Sequence, residues 1–228
     1  CDDGSNDNTL KLASDAGAIV LQHKTNKGYG AAISTLFDYA RDKKADVMIT
    51  IDGDGQHDPN QIPLLLDAIT KHSVDVVIGS RSLDDKDIPK YRKAGIKIIT
   101  SAANYTTNLK VSDSQSGFRA YSNAAINAIH PTENGMSVST EILLKASNNN
   151  LSLAEVPITV SYQGDTSTEN PVSHGTGVFA NTIKYVSIRH PLLFYGLPGI
   201  IMFLLGLGLG ASFIDAYLYQ QQVFYGSL

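Results

Sequence analysis

The run Asp52-Gly53-Asp54-Gly55-Gln56-His57-Asp58-Pro59 gathers three carboxylates and an amide oxygen directly after the apolar stretch Val47–Ile51. A β-strand that ends in such a turn carries these oxygens to its carboxyl end, the edge at which open α/β sheets hold ligands. Like charges this close repel unless a cation neutralises them, and hard oxygen donors select Mg²⁺ or Mn²⁺. Asp52 and Asp54 are therefore candidate metal or substrate ligands, with a solvated turn as the alternative. Asp58, followed by Pro59, has the form of a helix cap. Counted from Asp52, His57 stands where an EF-hand loop needs Gly and Pro63 where it needs Glu, so the run is not a calcium loop.

Four further groups have the right chemistry for an anionic ligand. Asp2-Asp3-Gly4-Ser5 offers acceptors for a nucleobase or ribose, or caps for the next helix. Asn26-Lys27-Gly28-Tyr29-Gly30 sets a cation and two glycines where a loop becomes a helix, a place that suits phosphate oxygens. It matches neither the dinucleotide fingerprint nor a P-loop. Gly79-Ser80-Arg81 closes an apolar run and Ser116-Gly117-Phe118-Arg119 follows Asp113. Both arginines can fork a second anion or pair with a nearby aspartate. Glu141, at the start of a helical pattern, is either a partner of the helix dipole or an active-site acid.

Elements that position these groups follow from periodicity. Strands are expected at 18–22, 47–51, 74–78 and 155–162, and helices at 8–16, 30–43, 60–72, 90–108, 136–149 and 177–189. Strands alternating with helices imply an α/β fold with a mostly parallel sheet. Residues 163–177, rich in Ser, Thr, Gly, Asn and Pro, have the composition of a mobile loop.

Pro191 to Ile214 contains no charged residue or histidine, and as a helix would be about 36 Å long, enough to cross a bilayer. Lys184, Arg189 and His190 precede it, so the positive-inside rule puts the N-terminal domain in the cytoplasm. The organisation expected is a catalytic domain over 1–162, a loop and juxtamembrane helix over 163–190, a membrane helix over 191–214, and a tail or the start of a further span over 215–228. With 18 basic and 22 acidic residues among 228, the chain lacks the positive surface that nucleic acid requires. One cysteine, Cys1, excludes an internal disulfide and agrees with a reducing compartment. The turn sequence at the first residues has no strand before it, which suggests an N-terminally truncated chain.

Taken together and in order, Asp-Asp-Gly-Ser at 2–5, Asn-Lys-Gly-Tyr-Gly at 26–30, Asp-Gly-Asp-Gly-Gln at 52–56, Gly-Ser-Arg at 79–81 and Ser-Gly-Phe-Arg at 116–119 resemble the family 2 glycosyltransferases with a GT-A fold. Within that family the similarity is to the dolichyl- or polyprenyl-phosphate sugar synthases, and it extends from Cys1 to about Tyr162. The resemblance implies that Asp2 and Asp3 contact the nucleotide of a nucleotide-diphosphate sugar and that Lys27 and Gly28 line its pocket. It also implies that Asp52, Asp54 and Gln56 hold a divalent metal and the diphosphate, with Asp54, Arg81 and Arg119 as catalytic candidates beside Glu141, which is a candidate by its own position. Arg81 and Arg119 would receive the acceptor phosphate or hold the donor, and Lys93 or Lys97 would add to that anion site. The family's first strand, with its Pro-x-x-Asn-Glu type motif, has no counterpart here, and 163–174 lacks basic residues apart from His174. An Asp-x-Asp after a strand also fits a haloacid-dehalogenase-type phosphatase, with the first Asp as nucleophile. A non-catalytic membrane scaffold is the third possibility.

Overall fold

The computed structural model describes residues 1–81, 110–161 and 192–220, together with 96, 97, 100, 101, 103 and 104. The chain divides into two compact units, Cys1–Ile183 and Lys184–Leu228. In the first unit four strands form one sheet: β1 (Val47–Thr50), β2 (Val76–Arg81), β3 (Arg119–Ser122) and β4 (Leu153–Ile158). Their spatial order is β1-β3-β2-β4.

β2 and β4 are parallel, with Val76 opposite Leu153 and Arg81 opposite Ile158. β3 is antiparallel to both its neighbours, so that Met48 of β1 and Val76 of β2 both face Tyr121. β1, β2 and β4 thus run the same way, as expected, and β3 alone is reversed. The chain leaves β2 at Arg81 and re-enters the sheet at the same edge, where the Gly79 amide donates to Phe118 O at 2.8 Å. A strand that re-enters from the edge its predecessor left must run backwards. The periodicity gave no sign of β3, because Arg119-Ala120-Tyr121-Ser122 contains no apolar run, and Arg119 is a charged residue in a central strand.

Helices cover both faces. α1 (Thr9–Asp15), α2 (Tyr29–Asp42) and α3 (Ile62–His72) fall where the sequence put them. α4 (Asn123–Ala128) was not anticipated, and α5 (Val138–Asn148) was. A 3₁₀ turn at Pro59–Gln61 leads into α3, and Asp58 caps it by accepting from the Asn60 amide at 2.9 Å. The period of two along the strands sorts the core. Val76 and Tyr121 pack with Phe37 of α2, Ile126 of α4 and Ile142 of α5. Val77 and Ala120 pack on the opposite face with Leu65 and Ile69 of α3. Phe37 and Leu65 are fully buried, each contributing roughly 1.5–3 kcal/mol of hydrophobic stabilisation.

The expected strand at 18–22 is reduced to a single parallel bridge between Asp2 and Gln22. Of the expected helix 90–108, the described positions 96, 97, 100, 101, 103 and 104 are helical. Lys93, the loop 163–174 with His174, and the helix 177–189 lie outside the described residues.

In the second unit, a turn of π-helix at Leu192–Gly196 leads into α6 (Leu197–Gln220). Phe194–Leu218 is long and apolar enough to cross a membrane. Asp215 lies inside this helix, not beyond it as the expected 191–214 boundary implied.

α2 enters the fold through a tight passage. A Cβ on Gly30 would lie 2.0 Å from Glu133 O and 2.8 Å from Gly135 O, both backbone atoms that cannot step aside. Gly30→Ala is therefore expected to destabilise the protein by about 3 kcal/mol, the upper end for overpacking. Thermal or urea unfolding checks this. A loss under 1 kcal/mol would mean that the 133–135 turn moves freely.

Candidate active site

β1, β2 and β4 point the same way, so Asp52, two residues past β1, and Arg81, the last residue of β2, emerge at one edge of the sheet. β3 starts at that edge, which brings the 113–118 segment there as well. His57 lies close enough to Asp52, Asp54, Arg81 and Asp113 for the charge of each to act on it.

The Asp52 carboxylate lies against two neighbours. The Tyr29 hydroxyl at the start of α2 faces it and favours its ionised form. Gly117 lies beneath both groups, and a Cβ there would stand 2.6 Å from Asp52 Oδ2 and 2.6 Å from the Tyr29 hydroxyl. Burial pushes the Asp52 carboxyl above its ordinary range, and the charge of Asp54 adds to the shift. Burial likewise pushes His57 down, favouring neutral imidazole. Its ring packs on Phe118 at 5.4 Å, and its buried Nδ1 has no partner among the described residues.

Asp54 is exposed and accepts from the Gln56 amide at 3.0 Å. Gln56 O in turn accepts from Ser161 N at 2.9 Å, and His57 bridges to Val160, so the acid turn is sewn to the segment after β4. Among the described residues nothing stands within 4 Å of a Cβ built on Gly53 or Gly55. No group of three or more His, Cys, Asp and Glu that could hold a metal ion occurs among the described residues. A divalent ion nonetheless fits the donor set. Mg²⁺ and Mn²⁺ sites at phosphates use one or two carboxylates and complete their shell with water and ligand oxygens. The uncompensated charge on Asp52 is what such an ion would relieve.

Arg81 meets Asp113 in a two-pronged ion pair, Nε to Oδ2 at 2.5 Å and Nη2 to Oδ1 at 2.8 Å. Asp113 is fully buried. Burial alone would raise its carboxyl, but the Arg81 guanidinium and the Gln115 amide outweigh that and hold it below the usual carboxylate range.

Arg119 and Glu141 spend their polar atoms on the backbone, which corrects their expected contact with a ligand; Arg119 opens β3 at this edge but is turned inward. Arg119 is 1% exposed, and its guanidinium donates to the carbonyls of Ser116, Ser139 and Ser114 at 2.8, 3.1 and 2.7 Å. A central strand position next to the 114–116 turn gives the side chain no route to solvent. Glu141 accepts from the Thr132 and Glu133 amides at 3.0 and 2.9 Å and pairs with Lys145 at 2.8 Å. It thereby fixes the turn that accepts the Gly30 amide at Asn134 O.

The N-terminal motifs are joined to one another. Asp3 accepts from the amides of Lys27 and Gly28 at 2.9 and 2.7 Å and from His23 Nδ1 at 2.6 Å. Asp2 accepts from the Ser5 amide at 3.0 Å and is buried. The side chains of Lys27 and Lys97 are exposed. Gly28 has φ +99° and faces Asn134 O, so this glycine serves close packing of loop on loop. Tyr29, His57, Asp113 and Gly117 were not singled out as site residues, although all but Asp113 sit inside or beside the quoted motifs. The cavity lined by Tyr29, Gly117 and Arg119 holds about 10 Å³, room for one water and too small for a sugar or nucleotide.

The acidic turn and the fixed arginine thus stand at the carboxyl edge of an α/β sheet, where such sheets hold ligands. The model of Glycosyl transferase family 2 matches residues 1–129, and the chain belongs to that family as a glycosyltransferase. It is 36% identical over 186 residues to an uncharacterized protein of Methanocaldococcus jannaschii, covering 78% of this chain and 73% of that protein. It is 32% identical over 199 residues to the UDP-N-acetylglucosamine–dolichyl-phosphate N-acetylglucosaminyltransferase of Methanococcus voltae, covering 78% and 77%. The fold is shared with glucosyl-3-phosphoglycerate synthase of Mycobacterium tuberculosis, solved with Mn²⁺, UDP-glucose and phosphoglyceric acid. That likeness has a TM-score of 0.60 at 17% identity and covers 80% of this chain and 65% of the other. Family membership removes the phosphatase alternative.

Proposed function

We propose that the protein transfers a sugar from a nucleotide-diphosphate sugar to a polyprenyl or dolichyl phosphate, with inversion, at a cytoplasmic membrane face. The observation that carries this is the convergence of the Asp52–Gln56 turn and Arg81 on one sheet edge. The acceptor class is supported by the Methanococcus voltae relative, which is named for dolichyl phosphate, and by the apolar helix Phe194–Leu218. A chain anchored in a bilayer meets a lipid acceptor at high effective concentration.

Asp52, Asp54 and Gln56 would hold Mg²⁺ or Mn²⁺, which supplies Lewis-acid stabilisation of charge on a departing nucleoside diphosphate. Tyr29 and Gly117 pack against the Asp52 carboxylate, and Asp3 orders the Lys27–Gly28 loop that lines the nucleotide side. Asp113 orients Arg81 to receive the acceptor phosphate. That phosphate is already largely ionised at neutral pH, with a second pKa of about 6, so the chain needs no strong general base for it.

The test is to incubate membranes carrying the full chain with a panel of labelled nucleotide sugars and to extract lipid. Label in a mild-acid-labile lipid phosphate is the expected result. Label in protein or polysaccharide, or no transfer from any donor, would overturn the proposal.

A further inference from the structure

We infer that Glu155 is a positioning residue for the acceptor: its carboxylate fixes the Ser112–Asp113 turn and, through that turn, the guanidinium of Arg81. This rests on the role proposed above for Arg81. Glu155 stands on β4 opposite Ile78 of β2, three positions before Arg81. Both its carboxylate oxygens lie 2.9 Å from the Ser112 amide, and Oε1 also accepts from Ser112 Oγ at 3.1 Å and from the Asp113 amide at 3.3 Å. A second tie comes from β2 itself, where Ser80 Oγ meets Ser112 Oγ at 2.5 Å. The turn is thus bound to β2, which carries Arg81, and to its neighbour β4. Asp113, the next residue, takes the guanidinium on two nitrogens.

Among the described residues, the Glu155 partners are all neutral N–H and O–H donors. Its negative charge therefore serves as an acceptor for several donors at once and not as half of an ion pair. An amide at this position keeps one oxygen for the Ser112 N–H and turns donors toward the rest, so it restores the arrangement only in part. Alanine removes it. A guanidinium that recognises phosphate through a forked geometry loses affinity when its orientation is loosened, although its charge remains.

The experiment measures the Kd of the full-length protein, in detergent, for undecaprenyl phosphate across wild type, Glu155→Ala, Glu155→Gln, Arg81→Ala and the Glu155→Ala/Arg81→Ala double variant. Glu155→Ala is expected to weaken binding about tenfold, the scale of an outer-shell partner, and Glu155→Gln by about threefold. In the Arg81→Ala background, Glu155→Ala should add nothing, because the two act along one path. Should Glu155→Ala fail to fold, Glu155→Gln, which keeps the side-chain shape, carries the same cycle. If wild type does not bind the lipid phosphate, or Arg81→Ala leaves its Kd unchanged, the role of Arg81 fails and this inference with it. If Arg81→Ala weakens binding while Glu155 variants do not, or if the two effects multiply, the inference fails and the role of Arg81 stands.

Discussion

Asp52→Asn is expected to cut sugar transfer by about 10²–10³-fold or more, the scale on which groups stabilising transition-state charge act, while leaving the melting temperature unchanged or higher. The two halves of this result have the same cause. Burial raises the Asp52 carboxyl above its ordinary value, so folding disfavours its ionised form relative to the unfolded chain. The energetic cost of keeping it ionised appears as pH rises past the unfolded value of about 3.9 and is complete above the raised folded value. An amide removes that cost and keeps the side chain's shape beside Tyr29. Asp54→Asn should lower transfer to a similar degree with little change in stability, since Asp54 is exposed and an amide oxygen can still receive the Gln56 N–H. Labelled-sugar transfer and a thermal melt of each variant check both. Transfer above a tenth of wild type, or an Asp52→Asn protein that melts several degrees lower, would contradict the assignment of the acid turn.

Asp113→Ala should have the largest effect on stability. It leaves the Arg81 guanidinium, 17% exposed, without the carboxylate it grips on two nitrogens. Breaking a buried pair by removing one partner costs about 3–5 kcal/mol, a large share of the net stability of an ordinary domain. The pH dependence has a definite sign. The Asp113 carboxyl is held below its unfolded value, so its contribution is present above the ordinary aspartate range and is lost as pH falls through the lower folded value. Wild-type stability should therefore decline below about pH 4, and Asp113→Ala should be less stable at pH 7 with a flatter acid limb. Urea unfolding between pH 2.5 and 7 measures both. Parallel acid limbs in the two proteins would show that Asp113 does not carry the linkage.

Much of this arrangement is legible in the residues themselves. Val47–Thr50 announces a strand by β-branching, Asp58-Pro59 announces the start of a helix by its cap, and the carboxylates that follow β1 necessarily sit at its carboxyl end. Local chemistry fixes such features, and local chemistry is what a sequence displays. Phe194–Leu218 is equally plain, because length and apolarity are sums over neighbours. Arg119 and Glu141 show where that legibility ends. An arginine in Ser-Gly-Phe-Arg and a glutamate at a helix start look like ligands for an anion and a proton, and only the fold shows them turned inward onto backbone carbonyls and amides.

The reversed strand β3 is of the same kind. Its direction is set by the edge at which the chain re-enters the sheet, and by pairing with β1 and β2, from which it is separated by many residues. Likewise, Gly117 matters because Asp52 and Tyr29 both press against it, and Glu155 because it holds a turn more than forty positions away. The sequence by itself determined which groups could bind a diphosphate and a divalent ion. Tertiary structure decided which of them reach the open edge, because burial and hydrogen-bond pairing depend on neighbours that the linear order does not specify.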